Sequence, residues 1–296
     1  MNLGSLLTEQ VNPDSAHIDS RPTAEALRII NAEDQKVASA VAAEIPRIAE
    51  AVDRIAERLS SGGRLFYVGA GTSGRLGVLD AAECPPTFHV SPELVQGIVA
   101  GGEAALARAT EASEDEAEAG QSDLLNHGFT LRDVLVGISA SGRTPYVLGA
   151  LSAARESGGL TIGISCTPDS ELSGVVEIAI APLTGPEVIA GSTRMKAGTA
   201  TKLVLNMIST AVMIRLGHVY GNLMVNVQPR NAKLEDRARR IIAQSAEVSY
   251  ARAGELLRVA GDVKTAILMS RQSLDKAAAQ TKLAAAGGRL SEALKT

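Results

Sequence analysis

The stretch Arg64-Leu65-Phe66-Tyr67-Val68-Gly69-Ala70-Gly71-Thr72-Ser73-Gly74-Arg75 decides the fold class, because it joins an apolar strand pattern to a glycine- and hydroxyl-rich turn. A second stretch of this kind ends in Ser139-Ala140-Ser141-Gly142-Arg143-Thr144, and a helix pattern follows each turn. Such turns present backbone N–H groups and hydroxyls at a helix N-terminus, where the helix dipole also favours an anion. The two together predict a site for a small phosphorylated molecule.

Short apolar runs rich in β-branched residues alternate with helical stretches between Arg64 and about Pro182. Continuous apolar strands that alternate with helices indicate a parallel sheet covered on both faces. In such doubly wound α/β folds, ligands bind beyond the carboxyl ends of the strands, where both turns would lie. The runs are Leu65–Val68, Leu94–Val99, Val134–Ile138, Leu160–Ser165 and Val176–Ile180.

Helical patterns surround this central region in the 296-residue chain. An irregular arm precedes an amphipathic pattern over Val37–Leu59, in which Pro46 predicts a kink or a new first turn. Ser192 and Thr193 are expected to cap a long helix that ends near Gly217. The remainder is rich in alanine and predicts a small module of three helices. We therefore expect an N-terminal arm with helices (residues 1–60), a ligand-binding domain (61–225) and a C-terminal helical module (226–296).

Composition argues against several classes of protein. A formal net charge of -4 and a pI near 5.7 argue against nucleic acid or an anionic membrane as a partner. With no long apolar run and no signal-peptide pattern at the N-terminus, we expect a cytoplasmic protein. Cys84 and Cys166 are expected to be buried thiols, and the four histidines show no metal-ligand spacing with them, so no metal site is expected.

The first turn also satisfies the G-x-G-x-x-G pattern of dinucleotide-binding folds. Such folds place an acidic residue about 20 positions further on to hold the ribose, and Glu103 is a poor match. A dinucleotide site would also leave the second hydroxyl-rich turn unexplained. A phosphosugar site is therefore favoured, while a dinucleotide site and purely structural turns remain alternatives.

Two acidic residues and one further segment are candidates for chemistry. Glu83 precedes Pro85 and Pro86, which should stop its helix, and it is either a solvated glutamate or a general acid or base beside the ligand. Glu114 lies in an acidic cluster, and nothing intrinsic distinguishes it from its solvated neighbours. The segment Gly191–Lys202 places hydroxyls at a helix start with lysines one and two turns in, which suits either an anion site or an ordinary capped helix.

Three segments, residues 69–87, 137–147 and 191–207, together resemble the N-acetylmuramic acid 6-phosphate etherase family within the sugar isomerase (SIS) superfamily. The resemblance spans nearly the whole chain, and Glu-Cys-Pro-Pro-Thr and Ser-Thr-Arg-Met-Lys are its most specific parts. It implies a five-stranded parallel SIS domain with a helical C-terminal extension. It also implies a homodimer with active sites at or near the subunit interface.

The implied reaction removes D-lactate from the C3 ether of the sugar by elimination and addition of water, in peptidoglycan recycling, without a metal or another cofactor. Carried over from the family, Glu83 is expected to protonate the leaving lactate and Glu114 to act as the partner acid or base. A non-catalytic phosphosugar sensor and an aldose–ketose isomerase remain alternatives. Expected substrate contacts are Thr72, Ser73, Gly74, Ser139, Ser141, Gly142 and Thr144, with Ser192, Thr193 and Lys202 as weaker candidates.

Overall fold

The structure, a computed structural model, describes residues 7–108, 111–228 and 231–295, apart from the side chains of residues 111 and 112. It contains two compact units, Met1–Ala82 with Pro92–Ser209 and Glu83–Ser91 with Thr210–Thr296. The strands are β1 (Leu65–Gly69), β2 (Val95–Val99), β3 (Val134–Ile138), β4 (Leu160–Ile164) and β5 (Ile178–Ile180). The helices are α1 (Thr23–Ala43), α2 (Ile45–Ser60), α3 (Gly71–Phe88), α4 (Ala104–Ala107), α5 (Ala117–Asn126), α6 (Pro145–Glu156), α7 (Lys196–Arg215), α8 (Ala232–Ala246), α9 (Tyr250–Ala260), α10 (Val263–Gln272), α11 (Lys276–Ala285) and α12 (Leu290–Lys295).

The first unit is built on a five-stranded sheet in the order β2-β1-β3-β4-β5, and every neighbouring pair of strands is parallel. The predicted parallel sheet is therefore confirmed. Gly69 at the end of β1 is in register with Ile138 at the end of β3. From β1 the chain goes first to β2 on one side and then to β3 on the other, so the order of the strands reverses between β1 and β3. Ligands of such sheets bind at this switch point.

Both faces of the sheet are covered, as the continuous apolar strands predict. Phe66 and Leu135 pack into a core cluster with Tyr146 and Val147 of α6. Side chains alternate along a strand, so Tyr67 points to the opposite face. There α3 lies so close that a Cβ atom added at Gly77 would be 2.9 Å from the Tyr67 Cβ. Helices on both faces define the doubly wound arrangement.

The chain before the sheet contains short 3₁₀ turns and two helices. The turns lie at Leu7–Glu9, Pro13–Ser15 and Ile18–Ser20. Helix α1 ends at Ala43 and α2 begins at Ile45, so Pro46 lies in the first turn of a new helix, as expected. The Glu44 carboxylate between them accepts a hydrogen bond of 3.0 Å from the backbone N–H of Ala181 after β5.

Helix α7 begins at Lys196, so the prediction that Ser192 and Thr193 cap it is wrong. The cap comes from Glu187, whose carboxylate accepts hydrogen bonds from the backbone N–H groups of Lys196 (3.0 Å) and Ala197 (2.9 Å). A carboxylate at this position also gains from the helix dipole. Among the described helices, α7 alone is long and apolar enough to cross a membrane, and 56% of its apolar window is buried in the protein, as in a core helix.

In the second unit, the described residues between 226 and 295 form five helices, α8 to α12, so the prediction of three helices is wrong. Helices α9, α10 and α11 each begin at a side-chain cap, which the alanine-rich pattern did not indicate. Ser249, Asp262 and Asp275 accept hydrogen bonds of 3.2, 2.8 and 2.8 Å from backbone N–H groups three residues further on. Helix α10 is central to this unit, because Ala266, Ile267 and Leu268 are fully buried.

Candidate phosphosugar site

The first hydroxyl-rich turn is shorter than the sequence suggests, because α3 begins at Gly71, only two residues after Gly69. Helix geometry leaves the N–H groups of Gly71, Thr72 and Ser73 without acceptors inside the helix. The N–H of Gly74, in contrast, donates to the Ala70 carbonyl at 3.2 Å. The donors that this turn offers an anion are therefore the earlier N–H groups and the half-buried hydroxyls of Thr72 and Ser73.

Gly74 allows α3 to pack closely against the end of β1. A Cβ atom added at Gly74 would lie 2.4 Å from the Gly69 carbonyl oxygen and 2.7 Å from Cγ2 of Val99. Gly69 is equally constrained, because its Cβ would lie 2.7 Å from the Gly74 nitrogen. These contacts bring the N-terminus of α3 directly to the end of β1.

The second turn contains a cluster of three hydroxyls. The buried Ser139 hydroxyl lies 2.8 Å from the Thr144 hydroxyl and 3.4 Å from that of Ser141. It also accepts the Gly142 N–H at 3.0 Å. Gly142 adopts a φ of 69°, in the left-handed region that glycine tolerates best. The Gly142 N–H therefore shapes the turn, while Ser141 and Thr144, both half-buried, offer hydroxyls.

Residues after β4, which are not among the predicted site residues, support the second turn. The Thr167 hydroxyl donates to the Ala140 carbonyl at 3.2 Å, and the Cys166 N–H donates to the same oxygen at 2.9 Å. Beneath the turn, the buried hydroxyls of Ser165 and Ser170 lie 3.2 Å apart. The signal for them was a third hydroxyl-rich segment directly after a strand, Ser-Cys-Thr-Pro-Asp-Ser at residues 165–170.

The structure brings the two turns side by side. Their strands are neighbours in register, and strands of a sheet lie about 4.8 Å apart. Hydroxyls from both turns and the N-terminus of α3 therefore meet at the β1/β3 switch point. This concentration of donors suits a phosphate and the hydroxyls of a sugar.

The start of α7 lies next to the first turn. A Cβ atom added at Gly198 would be 3.5 Å from Cγ2 of Thr72 and 3.4 Å from the Thr193 carbonyl oxygen. Ser192 and Thr193 are half-buried in the turn that precedes this helix. Lys202 lies on the second turn of α7 with its side chain exposed.

Lys196, the other lysine of this segment, is fully buried in an ion pair and does not form an anion site. Its ammonium donates to the carboxylate of Glu33 on α1, with the two side chains 1% and 3% exposed. Asn12 donates to the same carboxylate at 2.9 Å, and the Lys36 ammonium also donates to it. Burial would raise the pKa of Glu33, but these donors, Lys196 foremost, lower it to about 2.

The N-terminal arm is hydrogen-bonded to the loop that leads into α7. The Asn12 side chain also donates to the Pro186 carbonyl at 3.1 Å, and the Ser15 hydroxyl donates to the Val188 carbonyl at 2.7 Å. The arm, α1 and the start of α7 are thereby tied together through buried polar groups.

Glu83 lies within α3, not at its end, because the helix continues through Pro85 and Pro86 to Phe88. The prediction that these prolines stop the helix is therefore wrong. Proline has no N–H, so the carbonyls of Ala81 and Ala82 lose their usual donors. Glu83 is exposed on this locally weakened helix.

Glu114 ends the 3₁₀ turn Glu111–Glu114 that precedes α5, and its side chain is exposed. This turn packs against α6, the helix that begins directly after the second hydroxyl-rich turn. Helices α5 and α6 approach closely, because a Cβ atom added at Gly120 would lie 1.9 Å from the Tyr146 carbonyl oxygen. The Tyr146 hydroxyl donates to Asp123 at 2.5 Å, and burial followed by this carboxylate raises the pKa of Tyr146. The turn that carries Glu114 is thus packed against the helix that begins after the second hydroxyl-rich turn.

Solved structures of low sequence identity share the fold. Phosphoheptose isomerase of Neisseria gonorrhoeae, 17% identical, superposes with a TM-score of 0.51 over 64% of this chain and 99% of its own. A Bacteroides fragilis protein described as a phosphosugar isomerase involved in capsule formation, 21% identical, gives a TM-score of 0.51 over 68% of this chain and 95% of its own. Residues 47–155 match the family described as the glucokinase regulatory protein N-terminal SIS domain. These matches establish the SIS fold.

Sequence relatives extend over nearly the full length. A protein of Caldanaerobacter subterraneus subsp. tengcongensis named N-acetylmuramic acid 6-phosphate etherase is 53% identical over 100% of this chain and 97% of its own. A protein of the same name from Trichormus variabilis is 54% identical over 98% of this chain and 95% of its own. One from Salmonella choleraesuis is 51% identical over 99% of both chains. On identity and coverage of this extent, the chain belongs to the N-acetylmuramic acid 6-phosphate etherase family.

Proposed function

We propose that this protein cleaves the D-lactyl ether of N-acetylmuramic acid 6-phosphate and yields N-acetylglucosamine 6-phosphate and D-lactate, a step of peptidoglycan recycling. The observation that carries the proposal is the meeting of two hydroxyl-rich turns at the β1/β3 switch point, in a chain of this family. The turns supply hydroxyl and N–H donors for a phosphosugar. Cleavage of an ether then requires groups that move protons.

The chemistry is an elimination followed by an addition. In the open-chain aldehyde the carbonyl acidifies the proton at C2, so a carboxylate base removes it. The C3–oxygen bond breaks, and an acid protonates the leaving lactyl oxygen, which leaves a double bond between C2 and C3. Water then adds its oxygen to C3 and a proton returns to C2. General acid–base catalysis of this kind needs carboxyl groups within hydrogen-bonding reach of the substrate.

Glu83 and Glu114 are the proposed carboxyl groups. We assign Glu83 as the proton donor to lactate, and Glu114 as the partner that handles the C2 proton or activates water. Support comes from the family motif around Glu83 and from the exposure of both side chains, which leaves them accessible to a substrate. The packing of the turn Glu111–Glu114 against α6 supports the role of Glu114 further.

Phosphate and sugar hydroxyls are assigned to the turns. Thr72, Ser73, Ser141 and Thr144 would donate through their hydroxyls, and Ser139 would orient the last two. Gly74 and Gly142 contribute by close packing and turn geometry. Ser192, Thr193 and Lys202 would complete the site from the α7 side.

We also propose that the protein is a homodimer and is located in the cytoplasm. Helices α3 and α7 are joined by Asn206, which donates to Asp80 at 2.7 Å. The adjacent apolar side chains Leu79 and Met207 remain 54% and 39% exposed on this pair, which supports a contact with a second copy. Size-exclusion chromatography with light scattering should give twice the mass of 30.6 kDa.

The decisive experiment is incubation with N-acetylmuramic acid 6-phosphate and assay of D-lactate. In ¹⁸O-labelled water, mass spectrometry of fragments should find the label at C3 of the sugar product and none in lactate, because water adds to C3. A folded protein that releases no lactate would refute the proposal. Appearance of a ketose would identify an isomerase, and binding without turnover would identify a sensor.

The carboxyl groups are tested by isosteric variants. Glu83→Gln and Glu114→Gln should each lower kcat by at least about 100-fold, because general acid–base catalysis contributes about 10²- to 10⁴-fold. Binding of N-acetylglucosamine 6-phosphate should stay unchanged. Glu118→Gln, an equally exposed carboxylate on α5, is the matched control and should retain full activity.

A further inference from the structure

Arg75 lies on α3 directly after Gly74 and is not among the donors assigned to the substrate. The sequence Ser-Gly-Arg occurs in both hydroxyl-rich turns, at residues 73–75 and 141–143. In the structure the half-buried Arg75 guanidinium donates from Nε to the Ala105 carbonyl at 2.8 Å and from Nη2 to the Arg108 carbonyl at 3.0 Å. Arg75 therefore joins α3, the helix that begins in the first turn, to the end of α4.

These two hydrogen bonds satisfy carbonyl groups that α4 itself leaves without donors. The last carbonyls of a helix have no N–H partner within the helix. In α4 the Arg108 N–H donates to the Ala104 carbonyl at 3.2 Å, whereas the Ala105 and Arg108 carbonyls both accept from Arg75. A guanidinium presents several N–H groups in one rigid plane, so it can hold two carbonyls in a fixed relation to each other.

The segment that contains α4 is held weakly by packing. It leaves β2 through Gly101 and Gly102, whose φ values of 84° and 65° lie in the left-handed region that glycine adopts at no steric cost. Of the four residues of α4, only Ala105 is buried, and Leu106 is 41% exposed. A helix of this length with one buried side chain gains little stability from tertiary contacts. Its position on α3 therefore depends on Arg75.

The same segment leads to Glu114, six residues after Arg108. The turn Glu111–Glu114 packs against α6, so the chain around Glu114 is held at two places, by Arg75 on α3 and by α6. All of these residues belong to the first unit. A general base must lie within hydrogen-bonding reach of the proton that it removes, and a misplacement of about 1 Å can cost about 100-fold in rate. The position of this segment therefore affects the rate of proton transfer.

We propose that Arg75 is a positioning residue for Glu114. By holding the end of α4 on α3, it sets the position of the Glu114 carboxylate relative to the first hydroxyl-rich turn, where α3 begins. This inference rests on the proposed function and deepens it. In this role Arg75 contacts no substrate atom and transfers no proton. Its removal slows proton transfer and leaves the donors for the phosphate in place.

The first test is the kinetics of Arg75→Met, which removes every donor of the side chain. This variant should lower kcat by about 10- to 100-fold and should bind N-acetylglucosamine 6-phosphate in calorimetry as wild type does. Arg75→Lys keeps the charge without the planar fork, so it should lower kcat by a smaller factor, and it takes the place of Arg75→Met in every test if that variant does not fold. Arg58→Met is the matched control and should retain full kcat. Arg58 also donates to a carbonyl, that of Leu131, which precedes β3 and so lies at the opposite edge of the sheet from the turns.

A double-variant cycle separates positioning from a general loss of structure. In protein that already carries Glu114→Gln, Arg75→Met should lower the residual kcat by less than about twofold, because the carboxylate that it positions is gone. An equal loss of kcat with and without Glu114→Gln would mean that Arg75 does not act through Glu114. An unchanged kcat in Arg75→Met would mean that the contact with α4 has no effect on the reaction. Either result overturns the inference.

Hydrogen exchange distinguishes a failure of this inference from a failure of the proposed function. Amide exchange followed by mass spectrometry should be faster across residues 103–108 in Arg75→Met than in wild type, and unchanged there in Arg58→Met. If wild-type protein released no lactate, the proposed function would fail, and the exchange would still show whether Arg75 holds this segment. Unchanged exchange across residues 103–108 would overturn the inference even in a protein that releases lactate.

Discussion

The buried ion pair between Glu33 and Lys196 offers a quantitative test of how the first unit is held together. Glu33→Gln removes the negative charge and leaves the Lys196 ammonium, 1% exposed, without a counter-charge. Breaking a buried pair from one side costs about 3–5 kcal/mol. The pKa of Glu33 gives a similar figure, because a shift from 4.5 to about 2 corresponds to about 3 kcal/mol at 1.36 kcal/mol per unit.

Urea denaturation followed by circular dichroism measures this loss at pH 7. The double variant Glu33→Gln/Lys196→Met removes both charges and should recover most of the stability, because it leaves no uncompensated buried charge. Glu25→Gln is the control on the same helix, since the Glu25–Arg21 pair is 44% exposed on both sides and should be worth less than about 1 kcal/mol.

The same pair predicts a pH dependence. The pKa of Glu33 is lower in the folded protein than in the unfolded chain, so its contribution is fully present above about pH 4.5 and is lost as the pH falls toward 2. Glu33→Gln should lack this part of the acid sensitivity. A loss below about 1 kcal/mol for Glu33→Gln at pH 7, or a double variant no more stable than the single one, would refute the reasoning.

Three further predictions concern other elements. Gly120→Ala should destabilise the protein by about 1–3 kcal/mol and lower activity, because its Cβ would lie 1.9 Å from the Tyr146 carbonyl oxygen. Urea denaturation measures the loss of stability. Gly174→Ala is the control, because no atom lies within 4 Å of its Cβ. Glu187→Gln should cost about 1–2 kcal/mol in the same assay, because it removes the charge that caps α7, and an unchanged midpoint would contradict this role. Burial, followed by the charge of Lys264, lowers the pKa of His218 to about 4. As the pH falls from 6.5 to about 4, the free energy of unfolding should fall by about 1–2 kcal/mol, because His218 stays neutral in the folded protein and is protonated in the unfolded chain. This figure is smaller than the full difference in pKa implies, because the ring is partly solvated. A His218→Gln variant whose acid titration keeps that slope would contradict the assignment.

The sheet could be predicted from the sequence because each strand carries its own local signal. All five apolar runs became strands of the parallel sheet, with ends that differ by no more than two residues. The two hydroxyl-rich turns were recognised for the same reason, since strand, turn and helix follow one another in the chain. Whether the two turns meet depends on strand order, and that order became known only from the sheet itself.

The groups that hold the site together could not be predicted, because their partners are remote in sequence. The pattern around Lys196 suits either an anion site or an ordinary capped helix, but its partner in the structure, Glu33, is 163 residues away. Asn12 and Pro186 are 174 residues apart. Local patterns carry no information on such contacts, and a lysine near hydroxyls has the same sequence signature whether it binds a ligand or a buried carboxylate.

In the first turn, the glycines are required by the packing of α3 on β1, whereas the hydroxyls indicate the kind of ligand. Gly69 and Gly74 are required because β1 and α3 approach so closely that any Cβ would overlap backbone atoms, and Gly71 has a φ of 52°. A dinucleotide fold needs the same close approach, so the G-x-G-x-x-G spacing identifies the strand–helix junction and not the ligand. The hydroxyls carry the chemical information, and those of the second turn lie across the switch point from the first. Specificity for an ether must then depend on groups beyond both turns, because the same hydroxyl and N–H donors would hold the phosphate of any small phosphosugar.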